Sequence, residues 1–161
     1  MSFKIFVIDD DPVMSEMIQD FLRKRYDHVQ IFLFGTGEEA MTELYRKPEV
    51  IILDYHLDSL EANATNGIII LRRIKELLPN VPVLFLSSHE NPDVAADTIR
   101  YGAYDYIVKN ETAFQRMEIM INNATGHLSI KSKLKNQKAF NLVLIILLTA
   151  MVLGFFIIML L

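Results

Sequence analysis

Val50-Ile51-Ile52-Leu53-Asp54-Tyr55-His56-Leu57 decides how the rest of the chain is read. Four consecutive apolar residues, mostly β-branched, fit a short strand buried on both faces. The strand ends in a carboxylate. Phe3 to Ile8 is a second such run and ends in Asp9-Asp10-Asp11; Val81 to Leu86 leads into Ser87-Ser88, and Tyr104 to Val108 into Lys109. Acids, a hydroxyl and an amine are thereby delivered to the ends of four strands. In an open α/β sheet that edge is where ligands bind.

The segments between these strands read as helices. Asp11-Pro12 opens the first, with Asp11 as cap and Pro12 in the first turn. Met14, Met17, Ile18, Phe21 and Leu22 recur at helical spacing and predict its buried stripe, with an end near Arg25. A second strand is expected over 29–33. Thr36 to Glu39 is a capping box that starts a helix to about Arg46, and Pro48 follows its end. A third helix is expected over 68–78, with Ile69, Ile70, Ile74, Leu77 and Leu78 mostly inward. Asn91-Pro92 starts a fourth, which Gly102 ends. A fifth, from about Glu111 to Asn123, carries Phe114, Met117 and Ile121 on its inner face. Five strands alternating with five helices predict an α/β, doubly wound, five-stranded parallel sheet.

The chain from about Ser2 to Gly126 resembles a response-regulator receiver domain, the phosphoacceptor module of two-component signalling. The residues that carry the resemblance are Asp9-Asp10 after the first strand, Asp54 after the third, Ser87 after the fourth and Lys109 after the fifth, in the family's order and approximate spacing. Taken singly, each has an ordinary reading: a polar helix entry for the two acids, a turn hydroxyl for Ser87, a solvated strand end for Lys109. Their joint occurrence at four strand ends makes the site reading the stronger one. The resemblance implies a flavodoxin-like strand order, 2-1-3-4-5. In that order the first and third strands are neighbours, and Asp9, Asp10 and Asp54 converge at the switch point between them.

Three carboxylates in one cleft repel each other and favour either a raised pKa or a bound cation. Oxygen donors with room for water suit Mg²⁺ or Mn²⁺. The resemblance implies that Asp10 and Asp54 ligate the ion directly, that the His56 backbone carbonyl adds a ligand and that Asp9 acts partly through water. Asp54 is the candidate nucleophile, its carboxylate attacking a phosphoryl group to give an acyl phosphate. Lys109 is the cation that meets the incoming charge, and the Ser87 hydroxyl can hydrogen-bond a phosphoryl oxygen. In receivers an aromatic residue on the last strand turns inward on activation, and Tyr106 holds that position. His56 and His89 each lie two residues past a site residue and are candidate modulators of a bound phosphoryl group.

Two departures from the family pattern stand out. The polar stretch from Tyr55 to Asn66 is longer than the usual turn, and Gly67 comes 13 residues after Asp54. The usual proline after the lysine, often joined to it by a cis peptide, is here Asn110. A haloacid-dehalogenase-type phosphohydrolase would carry a second Asp two residues after the nucleophile, where this chain has His56.

With no cysteine among 161 residues, disulfides and thiolate metal sites are excluded. All 20 acidic residues lie at or before Glu118, which leaves residues 1–126 at −8 and residues 127–161 at +4. An acidic front argues against nucleic acid as a partner. From Leu142 to Leu161, 20 residues carry no charge and 15 are Leu, Ile, Val or Phe. At 1.5 Å per residue that is about 30 Å, the hydrocarbon thickness of a bilayer. The expected organisation is a receiver over 1–126, a basic linker over 127–138 and a transmembrane helix over 139–161.

Lys131, Lys133, Lys135 and Lys138 before the span place the receiver on the cytoplasmic side of the inner membrane, in a single-pass, tail-anchored arrangement. Expected partners are a sensor histidine kinase or a histidine phosphotransfer protein, the membrane, and a second copy through the 91–123 face. No separate enzymatic domain is expected. The reading from another class is a membrane scaffold with a vestigial, unphosphorylated site.

Overall fold

The computed structural model of the chain describes residues 3–57, 67–88 and 90–126. Residues 58–66 of the long polar stretch, His89, and the linker and transmembrane span expected beyond 126 lie outside the described residues. Among the described residues no helix is long and apolar enough to cross a membrane.

The elements run β1 (Phe3–Ile8), α1 (Pro12–Arg25), β2 (Val29–Phe34), α2 (Gly37–Thr42), a 3-10 turn (Leu44–Arg46), β3 (Val50–Asp54), α3 (Gly67–Leu77), β4 (Val83–Ser87), α4 (Pro92–Arg100) and β5 (Asp105–Val108). A last helix, α5, follows over 113–126. The five strands are all parallel, in the order β2-β1-β3-β4-β5. That is the expected doubly wound, flavodoxin-like sheet.

Every residue of β3 and β4 is buried, because helices cover both faces of the sheet. Alternation along the strands divides the core in two. Phe6, Ile8, Ile51, Leu53 and Phe85 face Ala40 of α2 and Ile70, Leu71 and Ile74 of α3. Ile5, Val7, Ile52, Leu84 and Leu86 face Ile18 and Leu22 of α1 and Met117 and Ile121 of α5. Full burial of one such side chain is worth about 1.5–3 kcal/mol, so each half of the core rests on several of them.

The helix signals act as written in the sequence. The Asp11 carboxylate accepts from Val13 N at 2.9 Å, the Thr36 hydroxyl from Glu39 N at 3.2 Å, and Asn91 Oδ1 from Asp93 N at 3.0 Å. Gly102 ends α4 at φ +96°, a conformation that glycine adopts without a Cβ clash. Ala103 N donates to Thr98 O and Gly102 N to Ile99 O, the paired bonds of a Schellman end.

Two predicted stripes need correction. In α1, Ile18 and Leu22 are fully buried but Met17 is 50% exposed. In α3 the inward residues are Ile70, Leu71 and Ile74, whereas Ile69 and Leu77 are 43% and 61% exposed. At about 100° per residue, Ile70, Leu71 and Ile74 share one narrow arc; Leu77 lies at its margin and Ile69 well outside it. The second helix is also shorter than expected. It tightens after Thr42, where Arg46 N donates to Glu43 O and Lys47 N to Leu44 O, and Lys47 then turns left-handed at φ 54° before Pro48.

Candidate functional site

β1, β3, β4 and β5 deliver their terminal residues to one edge, as the parallel topology requires. Asp9 follows β1 and is 2% exposed; Asp54 ends β3 at 3%, and Ser87 ends β4 at 1%. Lys109 follows β5, and its backbone N donates to Ser87 O at 2.7 Å. Asp9, Asp10 and Asp54 each turn a carboxylate oxygen into a cluster in which these atoms lie within 4.8 Å of one another.

The electrostatics of the cluster centre on Lys109. Its Nζ donates to Asp9 Oδ2 at 2.9 Å and stands 3.0 Å from Asp54 Oδ1. The second contact is an ion pair, and the lysine is the cation that faces the buried Asp54 Oδ1. Burial pushes the Asp54 carboxyl above the ordinary carboxylate range; Lys109 pulls it down and the Asp9 charge pushes it up, and the net shift is upward. For Lys109, burial disfavours the ammonium, but the two carboxylates outweigh burial and hold its pKa above the ordinary lysine value. Asp9 is held in turn by Asp11 N, which donates to its Oδ1 at 3.0 Å, and its carbonyl accepts from the Ser15 hydroxyl at 3.3 Å.

Three carboxylates, two of them buried, with oxygens this close together fit a small divalent cation. Asp9, Asp10 and Asp54 are the residues that would hold it.

The remaining predicted residues fall as follows. Tyr106 is buried, 8% exposed, with its ring stacked on Phe85 at a centroid distance of 6.4 Å. It lines a cavity of about 520 Å³ with Ala95 and Ile99 of α4 and with Asp105 and Arg116. His56 is exposed, its ring edge-on to Tyr55. The Lys109–Asn110 peptide is trans.

One residue that supports the site was legible only as a spacing. Gly67 opens α3, and its N–H donates to Tyr55 O at 3.1 Å. A Cβ built on it would lie 2.4 Å from the Asp54 carbonyl oxygen and 3.1 Å from Tyr55 Cα. These are backbone atoms and cannot swing aside. Gly67→Ala is therefore expected to force the start of α3 away from the end of β3 and to cost about 1–3 kcal/mol, as overpacking does. Urea denaturation measures the loss. A stability equal to that of the parent would show that the two segments are free to separate.

Residues 5–122 match the response regulator receiver domain family. The chain belongs to that family. Among curated relatives, this receiver is 34% identical over 131 residues to the regulatory protein LuxO of Vibrio cholerae, an alignment covering 81% of this chain and 26% of LuxO. It is 36% identical over 112 residues to the protein-glutamate methylesterase/protein-glutamine glutaminase of Bacillus subtilis, covering 66% of this chain and 29% of that protein. The chain thus spans about a quarter of the length of the curated relatives it matches.

Among solved structures, a receiver domain protein from Clostridium thermocellum superposes with a TM-score of 0.68 at 28% identity, over 80% of this chain and 98% of that one. The BeF3-activated receiver domain of DrrB does so with a TM-score of 0.63 at 26% identity, over 76% and 99%. Receiver domains interact with histidine kinases or phosphotransfer proteins and bind Mg²⁺ in an acidic pocket, for which this chain has the carboxylate cluster.

Proposed function

We propose that this receiver accepts a phosphoryl group on Asp54 from a phosphohistidine of a kinase or transfer protein, and that it does so on a membrane. The observation that carries the first part is Lys109 Nζ set 2.9 Å from Asp9 Oδ2 and 3.0 Å from Asp54 Oδ1 within the cluster of Asp9, Asp10 and Asp54. An Asp54 oxygen attacks the phosphorus, the P–N bond to the imidazole breaks, and the electron pair stays on the ring nitrogen. Lys109 meets the phosphoryl charge that arrives beside Asp54, and Asp9 and Asp10 complete the acidic pocket. A bound divalent cation supplies charge neutralisation at the transferring group. Ser87, buried at the end of β4, offers its hydroxyl to a phosphoryl oxygen.

The vestigial-scaffold reading predicts no labelling by acetyl phosphate with Mg²⁺. The phosphoacceptor reading predicts one acid-stable, hydroxylamine-labile phosphoryl group. The chain then acts through partners, including a second copy, at the 91–123 face, where Tyr106 lines the cavity beside α4. It catalyses its own Mg²⁺-dependent aspartyl phosphorylation and dephosphorylation.

Membrane attachment rests on the sequence from Leu142 to Leu161 and on the four lysines before it. The chain is expected to sediment with membranes through a carbonate wash, with the receiver digestible from the cytoplasmic side alone. Release by the wash would end the anchor reading and leave the phosphoacceptor reading intact.

A further inference from the structure

We propose that Asn110 is a positioning residue for Lys109: its N–H and its side chain hold the turn that sets the lysine amine between Asp9 and Asp54. The inference rests on the phosphoacceptor reading above and concerns the means by which this chain aims its cation.

Lys109 opens the four-residue connection between β5 and α5. On the strand side its N–H donates to Ser87 O at 2.7 Å. Directly after it, Asn110 N donates to Val108 O at 2.9 Å, which closes a three-residue turn with Lys109 at its centre. Lys109 has no positive φ, so this is the relaxed, inverse form common at strand ends. On the helix side Asn110 Oδ1 accepts from Thr112 N at 3.0 Å and from Thr112 Oγ1 at 2.9 Å, and Asn110 O accepts from Ala113 N at 3.0 Å. Asn110 therefore ties the lysine turn to the first turn of α5, which is itself anchored in the core by Met117 and Ile121. Proline at this position would have neither the N–H that closes the turn nor the oxygen that caps the helix.

The lysine needs such a hold. Its amine reaches two carboxylates at 2.9 and 3.0 Å from the end of a long flexible side chain. A lysine carries rotamer freedom that its surroundings must restrict. Lys109 and Asn110 also wall one cavity of about 210 Å³ with Met14, Met17, Phe114 and Met117. Apolar contacts of this kind allow the stem to slide. The fixed point is the turn.

The test compares Asn110→Ala, which keeps the N–H and loses the cap, with Asn110→Ser, which keeps both in a capping residue of similar strength. The readouts are the rate of phosphoryl incorporation from acetyl phosphate, beryllofluoride affinity and Mg²⁺ affinity, measured on the full chain. Asn110→Ala is expected to lower the labelling rate by between about tenfold and about a hundredfold, the cost of a misplaced group of this kind. It should weaken beryllofluoride binding in parallel and leave Mg²⁺ affinity undiminished, and Asn110→Ser should restore the first two. An equal loss of Mg²⁺ affinity in Asn110→Ala would show damage to the whole cleft, and an unchanged labelling rate would show that Lys109 needs no help; either overturns the assignment. A parent chain that takes no label at all would instead refute the phosphoacceptor reading.

Discussion

Replacing Asp54 by asparagine is expected to reduce phosphoryl incorporation to background and, in metal-free protein, to stabilise the fold at neutral pH. The first outcome follows from the loss of the attacking oxygen at the one buried carboxylate that ends β3. The second follows from burial. The Asp54 carboxyl is pushed above the ordinary range, so the folded chain holds its proton more tightly than the unfolded chain does. Between the ordinary carboxylate pKa of about 4 and the raised folded value, the folded state carries more protons and stability falls as pH rises. Above that window the full penalty of a buried charge is present. Asparagine has no such charge. The difference in melting temperature between Asp54→Asn and the parent, taken without metal, should widen as pH rises from about 4 and then level off. Mg²⁺ should narrow it, because a cation stabilises the ionised parent and finds a poorer site in the variant. A variant less stable than the parent across this range would mean that Lys109 already compensates the Asp54 charge in full. Labelling at the parent's level would move the acceptor to another residue.

Lys109→Ala is expected to act in the opposite sense on stability. The lysine is the cation paired with Asp9 and Asp54, whose side chains are 1% and 4% exposed. Removing one partner from such a pair strands the other charges and costs about 3–5 kcal/mol. That loss should appear in urea denaturation without metal and shrink when Mg²⁺ is added, since a divalent cation neutralises the same carboxylates. By the same logic Mg²⁺ affinity should rise, because the ammonium competes with the metal for these oxygens. Phosphoryl signalling should nevertheless fail. With beryllofluoride bound, the chemical-shift change expected at Tyr106 in the parent should be absent. A full Tyr106 response in Lys109→Ala would remove the lysine from the coupling, and metal-free stability equal to the parent's would show the carboxylates to be paired elsewhere.

Much of this site was legible in the sequence because one pattern carries it. A strand buried on both faces reads as an unbroken apolar run, and the residue that ends it reads as a break. Four largely apolar stretches, the one before Asp54 unbroken, locate Asp9, Asp54, Ser87 and Lys109, and the parallel topology brings them to one edge without knowledge of any contact. The helices were legible in register but not in the width of their buried faces. Met17, Ile69 and Leu77 fit a helical repeat and yet are exposed, because the neighbours that decide coverage come from distant segments. The role of Gly67 was hidden for the same reason, and that of Asn110 because it lies in a local turn that no apolar repeat marks. Gly67 is small because the Asp54 carbonyl oxygen is there, and Asn110 acts through an N–H and a side chain whose partners are fixed by the turn alone.

The hydrogen bond from Gly67 N to Tyr55 O has a practical reading. The chain leaves β3 at Tyr55 and is brought back to the same residue at Gly67, so whatever lies between is tied off at its root. A loop closed in this way tolerates length: each doubling adds only about 0.6 kcal/mol of closure entropy. The interval 58–66 is thus a natural splice port. A reporter peptide, a protease-cleavage sequence or a small binding module inserted there is expected to leave the bond between Gly67 and Tyr55 in place, and Gly67 itself stays outside the graft.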